Sequence, residues 1–180
     1  MNEREGVVSA SITVVVGNIV NQPDCDAIVN SANPNLRAGS GVCGAIYDAA
    51  GPELEPCSKR FAPLLLGQAI VTPGFLLRNR WIIHVRGPRY LFDREPAANL
   101  KKAMNSLLQL ADQHGMEKIA VPAISMGVYA YPEEEAVPIL VKTTIDALRN
   151  TKSLQEVRFV VRDQQLEKLF LHHFKQNVRT

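Results

Sequence analysis

The sequence predicts an α/β protein with a three-layer α/β/α architecture around a mixed, largely parallel central sheet. Three observations carry this. Short apolar, β-branched segments alternate with helical periodicity along nearly the whole chain. Two of the strands run directly into small-residue loops that open helices, the usual local form of a strand-loop-helix unit. No repeat, low-complexity tract or linker interrupts the 180 residues, a length that suits one domain with a substantial core. The predicted organisation is a flexible N-terminus over 1–10, one domain over 11–175 and a tail over 176–180.

Ser11 to Val16 is β-branched and reads as the first strand, ended by Gly17-Asn18-Ile19. Asp26 to Asn30 reads as the second. Val42 to Ala50 is helical, and Gly51-Pro52 stops it. Gln68 to Thr72 and Trp81 to Val85 are strands, ended by Pro73-Gly74 and Gly87-Pro88. From Pro96 to Gly115, apolar residues recur at Ala97, Leu100, Met104, Leu107, Leu108 and Ala111, spacings of three and four that mark an amphipathic helix, with Gly115 suited to its C-terminal cap. Lys118 to Val121 is a buried strand. Val137, Leu140, Val141, Thr144, Ile145 and Leu148 define the next helix, with Pro132 at its start and Pro138 expected in its first turn. Val157, Phe159 and Val161 alternate as the last strand. Leu166, Leu169, Phe170 and His173 or Phe174 form the last helix.

Composition excludes several classes. The formal net charge is +2, and no Lys/Arg run occurs, which argues against nucleic acid. Arg158, Arg162, Lys168 and Lys175 read as a solvated face. No apolar run reaches membrane-spanning length, and the N-terminus lacks a signal-peptide pattern. Cys25, Cys43 and Cys57 are odd in number and show neither CxxC nor zinc spacing, so a reducing cytoplasm, no metal and no disulfide framework are expected.

The chemistry points to the two loops. The first contains Ala38, Gly39, Ser40 and Gly41, followed by a helix through Ala45, Ile46 and Ala49. Such a loop presents bare backbone N–H groups at the positive end of a helix, a cradle for phosphate. Glycine lets main chain approach the ligand closely. The second loop, Ser125 to Pro132, has the same character. Neither GxxxxGK[ST] nor GxGxxG is present, so the expected ligand is a phosphate-bearing metabolite gripped from two sides. His84 reads as a hydrogen-bonded strand-end histidine, and Cys43 as a small loop residue rather than a nucleophile.

In order, the segments resemble the macrodomain family of ADP-ribose-binding modules. Gly17-Asn18-Ile19 is similar to its Gly-Asp-Ile, and Ala27 to Asn33 (AIVNSAN) to its AIVNAAN. Gly41 to Ile46 (GVCGAI) resembles GVDGAI, and Ala49 to Pro52 is its AAGP. His84 with Gly87-Pro88 resembles HTVGP, and Pro122 to Pro132 (PAISMGVYAYP) resembles PAISTGVYGYP. The bacterial and MacroD-type members, which hydrolyse O-acetyl-ADP-ribose and ADP-ribosyl esters of acidic side chains, are resembled most.

The resemblance implies a ligand site made by Asn18, Ile19, Asn33, Gly39, Gly41, Val42, Cys43, Ser125, Met126, Gly127, Val128, Tyr129 and Arg162. Asn18 and Ile19 would meet the adenine. Gly41, Val42 and Cys43 would hold the diphosphate from one side, and Ser125 to Tyr129 from the other. Asn33 would bond the distal ribose, against which Tyr129 would lie. Catalysis would rest on Asn33 and on position 43, where strong hydrolases of the family carry Asp to help activate water. Three departures follow: Cys43 for that Asp, Asn18 for the Asp that accepts from the adenine amino group, and Arg162 where an aromatic residue often covers the base. A guanidinium can itself stack on a base. The implied activity is hydrolysis of ADP-ribosyl esters without a cofactor, with ADP-ribose derivatives and mono-ADP-ribosylated proteins as partners. The alternative is a reader that binds without turnover.

Overall fold

The computed structural model describes residues 10–178. The flexible start expected over 1–10 therefore lies, Ala10 apart, outside the described residues. Six strands form one sheet in the order β1-β6-β5-β2-β4-β3. They are β1 (Ser11–Val16), β2 (Ala27–Ser31), β3 (Ala69–Pro73), β4 (Trp81–Val85), β5 (Lys118–Pro122) and β6 (Glu156–Val161). All neighbours pair in parallel except β3 with β4. Among the described residues the helices are α1 (Gly41–Ala50), α2 (Leu54–Ser58), α3 (Pro96–Gln113), α4 (Glu133–Leu148) and α5 (Gln164–Val178), with a 3-10 turn at Lys59–Phe61.

Strand alternation divides the interior in two. Ala27 and Val29 of β2, Ile83 and Val85 of β4, Ile119 and Val121 of β5, and Val157, Phe159 and Val161 of β6 face one way. They pack under α3, α4 and α5 through residues such as Leu100, Leu107, Leu140 and Phe170. The intervening Ile28, Ile82, Ala120 and Val160 face the other way and meet Ile46, Tyr47 and Ala50 of α1. Period-two alternation against helices on both faces is what gives the three layers.

Several expectations are corrected in detail. The second strand runs from Ala27 to Ser31, one residue later than read; Asp26 leads into it, its N–H donating to the Lys118 carbonyl and its carboxylate accepting from the Glu117 and Lys118 N–H groups. The short α2 was not anticipated, because Pro52 and Pro56 mask it as loop. Pro138 lies in the second turn of α4, not the first, since the helix already begins at Glu133. Glu133, Glu134 and Glu135 fill that first turn, where negative charge meets the positive end of the helix dipole. The tail expected from 176 is helical through Val178. Gly115 caps α3 as expected: at φ +67° it donates to Asp112 while Met116 donates to Ala111, and Met116 is buried.

Arg158 is not on a solvated face. It pairs with Asp24 at 2.7 Å and Glu156 at 3.0 Å and donates to the Gln22 side chain. Gln22 in turn donates to the Asn18 carbonyl, so the guanidinium braces the β1–β2 connection.

Candidate functional site

β2 and β5 are neighbours, and both glycine loops leave their carboxyl ends. This is where open α/β sheets bind ligands. Between the loops lies a cleft of about 230 Å³ whose lining includes Asn33, Gly39, Gly41, Val42, Cys43, Ser125, Gly127, Val128 and Tyr129. Nine of the expected site residues are thus brought together.

The first wall is the start of α1. Ser40 makes no side-chain cap, and the first turn holds no acidic residue. Among the described residues the N–H groups of Gly41, Val42 and Cys43 have no acceptor. An uncapped helix start is an anion site in waiting. The loop is pinned by close main-chain packing. A Cβ on Gly44 would stand 2.5 Å from the Gly39 carbonyl oxygen, so only glycine fits there.

The second wall is the loop after β5. Met126, Ala130 and Tyr131 spend their N–H groups on Ala123, Gly127 and Ser125. Those of Ser125, Gly127, Val128 and Tyr129 have no acceptor among the described residues. Ser125 sits in the left-handed region at φ +65°, a strained setting for a non-glycine residue and one found mostly at functional loops. It is only 3% exposed, and its hydroxyl has no partner. A Cβ on Gly127 would meet nothing within 4 Å, so the space beside it is open for a ligand.

Asn33 and Cys43 meet at one end of the cleft. The Asn33 amide bonds the Arg37 main chain both ways, Nδ2 to the carbonyl at 2.7 Å and Oδ1 from the N–H at 3.3 Å. It therefore clamps the turn 33–37 as well as lining the cleft. The Cys43 thiol donates to the Arg37 carbonyl at 3.5 Å. Burial pushes its pKa above the ordinary thiol value, while the nearby Asn30 amide and Gly39 N–H pull it partly back. The thiol is therefore protonated at neutral pH. Tyr129 closes the end, its hydroxyl 3.4 Å from the Ala32 carbonyl.

Sequence reasoning did not find the polar chain beneath Cys43. Asn30 is fully buried and its Nδ2 lies 3.1 Å from His84 Nδ1, while His84 Nε2 lies 3.0 Å from Thr72. The two residues are cross-strand partners in the β2–β4 register, which pattern alone does not reveal. His84 is a hydrogen-bonded core histidine, as read, with its pKa lowered by burial to about 3.

Four expected contacts lie off the cleft lining. Met126 is corrected: its side chain packs in the main core and its N–H goes to Ala123, so it turns away from the cleft. Ile19 is buried in the smaller core. Asn18 is exposed, with its Oδ1 accepting from the Val20 N–H at 3.1 Å. Arg162 is engaged by Glu133 and Asp163, so its guanidinium is held by carboxylates. Asn18 and Arg162 nevertheless follow adjacent strands, since Val16 pairs with Val161 and Gly17 donates to the Val161 carbonyl. They flank the same carboxyl edge of the sheet as the two loops. No group of side chains suited to a metal ion occurs among the described residues, and none of their helices is long and apolar enough to cross a membrane.

Comparison with known proteins agrees with this geometry. The Macro domain family model matches residues 29–140. An O-acetyl-ADP-ribose deacetylase of Salmonella gallinarum is 36% identical over 167 residues, covering 90% of this chain and 93% of that protein. The Oceanobacillus iheyensis macrodomain solved with ADP superposes with a TM-score of 0.88 at 31% identity, covering 95% of this chain and 93% of the other. The Trypanosoma brucei macrodomain solved with ADP-ribose gives 0.82 at 31% identity, covering 88% and 67%. Both glycine loops fall within the matched span, and the chain belongs to the macro domain family.

Proposed function

We propose that this protein binds ADP-ribose and hydrolyses ADP-ribosyl esters, either O-acetyl-ADP-ribose or the modified carboxylates of proteins. One observation carries the reading: three unpartnered N–H groups at the start of α1 and four in the second loop line a single cleft. Seven main-chain donors around one cleft suit a diphosphate, and being fixed by the fold they would need no reorganisation when the ligand arrives. The relatives solved with ADP and ADP-ribose, and the one named a deacetylase, support the choice of ligand and reaction.

Asn33 and Tyr129 would hold the distal ribose at the end of the cleft where Cys43 lies. Asn18, Ile19 and Arg162 would hold the adenine at the sheet edge. The reaction consumes one water and yields ADP-ribose, the free carboxylate and a proton. No side-chain base stands at position 43, so the proton of the attacking water would pass to a ligand phosphate oxygen. The protein's share is then positioning and electrostatic stabilisation.

The second reading, a reader without turnover, draws on the same buried thiol. Calorimetry with ADP-ribose against AMP, ADP and NAD tests the ligand. Turnover of O-acetyl-ADP-ribose and of a glutamate-modified protein tests the chemistry. Binding without turnover selects the reader, and no binding of ADP-ribose overturns both.

A further inference from the structure

The connection between β4 and α3 carries two large apolar side chains that the fold does not use. Leu91 and Phe92 are 76% and 77% exposed. They are not on a loose loop. The Asp93 carboxylate accepts from the Arg89 N–H at 2.8 Å and pairs with its guanidinium, and Phe92 and Asp93 both donate to the Arg89 carbonyl. The Arg89 guanidinium also lies 5.6 Å from the Phe92 ring centre. An ordered turn thus holds two consecutive large hydrophobic side chains in water, where a partner could cover them.

Its position is specific. Tyr90 donates to the Tyr129 carbonyl at 3.0 Å, so the turn is tied to the residue that closes the Asn33–Cys43 end of the cleft. Charges of both signs stand at this end: Asp93 pairs with Arg89 and Tyr90 donates to the Glu135 carboxylate, while Arg86 and Arg37 are left to face an acidic partner. Arg86 and Arg89 both act electrostatically on the Tyr129 phenol. Arg86 donates to the Leu64 carbonyl and has no ion pair among the described residues. Arg37, adjacent through its main chain to Asn33, is exposed and has none either. A free metabolite bound in the cleft has nothing to place on Leu91 and Phe92. With the distal ribose at the Asn33–Cys43 end, as in the reading above, a polypeptide attached to it would emerge on this side of the cleft.

We propose that Leu91, Phe92 and the surrounding arginines form a docking collar for an acidic polypeptide segment that carries the ADP-ribosyl group, making modified protein rather than free metabolite the preferred substrate. The apolar pair would cover the segment's backbone and apolar side chains. Arg37 and Arg86 would meet the acidic residues around the modification, giving selectivity and faster encounter. This inference rests on the ADP-ribose reading above.

The test uses the full chain and three probes: ADP-ribose, and two peptides carrying ADP-ribose on glutamine, an amide in place of the ester, flanked by aspartates or by lysines. Wild type is expected to bind the aspartate-flanked peptide about tenfold or more tighter than ADP-ribose, and the lysine-flanked peptide no tighter. The variant L91S/F92S should lose most of the aspartate-flanked peptide's advantage over ADP-ribose, keep the arginines' preference for aspartate over lysine flanks, and leave its ADP-ribose affinity unchanged. Equal affinity of wild type for the aspartate-flanked peptide and ADP-ribose overturns the proposal. So does loss of ADP-ribose affinity in the variant, which would make the turn part of the fold. Sedimentation of wild type as a dimer and of the variant as a monomer would assign the surface to a second copy and also overturn it. Failure of wild type to bind ADP-ribose at all would fell the functional reading itself, a result separate from every peptide comparison.

Discussion

Gly44→Ala is the sharpest test of how the first loop is held. Residue 44 lies in the first turn of α1 with its Cα against the Gly39 carbonyl, and an added Cβ would sit 2.5 Å from that oxygen. Ordinary contact between such atoms is near 3.4 Å or more, so the main chain at 39 or the start of the helix must move by most of an ångström. Alanine is otherwise the better helix former, by roughly 1 kcal/mol over glycine, so propensity alone would stabilise the variant. Overpacking against fixed main chain costs about 1–3 kcal/mol, and that effect should win or cancel. Melting would shift from about zero to −8 °C, at roughly 2–4 °C per kcal/mol for a chain of this size. Binding is the more sensitive readout, since a charge-assisted bond from Gly41, Val42 or Cys43 is worth about 1.5–3 kcal/mol. Losing one weakens ADP-ribose by roughly ten- to a hundredfold in calorimetry. A Gly44→Ala protein more stable than wild type and equal in affinity would show that the Gly39 contact does not position the cradle.

Other perturbations separate the remaining roles. Gly127→Glu should leave folding intact, because nothing lies within 4 Å of its Cβ, yet abolish ADP-ribose binding through bulk and negative charge; unchanged affinity would remove the second wall. Asn33→Ala should slow hydrolysis of O-acetyl-ADP-ribose, and it also frees the Arg37 main chain, so a modest fall in melting temperature is expected; wild-type turnover would deny Asn33 a role. His84 has a folded pKa of about 3, below its ordinary 6.5. Below pH 6.5 the unfolded chain takes up a proton that the folded one refuses, so stability is complete above 6.5 and falls toward pH 3. Between pH 6.5 and 5 urea unfolding should register a loss of about 2 kcal/mol, absent in His84→Gln; equal pH slopes would contradict the burial argument.

The sheet was legible because its strands alternate against two helical layers, so β-branched runs and three–four spacings both left their mark. What escaped had identifiable causes. The α2 helix contains Pro56 and is only Leu54–Ser58, too short for periodicity to register. Arg158 looked like surface because its partners Asp24 and Gln22 are far away in sequence. The facing of Asn30 and His84 depends on parallel register, which no local pattern encodes. The two loops, by contrast, were readable as cradles, since small residues between a strand and a helix leave little besides main chain to offer. Met126 shows the limit of that reading: its neighbours turn to the cleft, while its own side chain goes to the core.

Position 43 decides which chemistry the cleft can perform. A thiol next to a histidine invites a nucleophilic reading, and here Asn30 stands between Cys43 and His84. Both titrating groups are tuned the wrong way. Burial raises the thiol and lowers the imidazole, so neither the thiolate nor the imidazolium of an activated pair is available near neutral pH. Cys43→Ser should therefore leave any turnover nearly unchanged. Cys43→Asp is a different perturbation. It supplies a carboxylate beside the Arg37 carbonyl and the amide of Asn30, and general-base assistance typically contributes ~10²–10⁴-fold, less where the base is poorly placed. Turnover should rise while ADP-ribose affinity stays level or falls, because a carboxylate repels the diphosphate. Loss of turnover in Cys43→Ser, or its inactivation in wild type by a thiol alkylator at neutral pH, would make the cysteine a nucleophile. That result would sink the water mechanism and leave the diphosphate cradle standing, since the cradle is built from backbone that neither substitution touches.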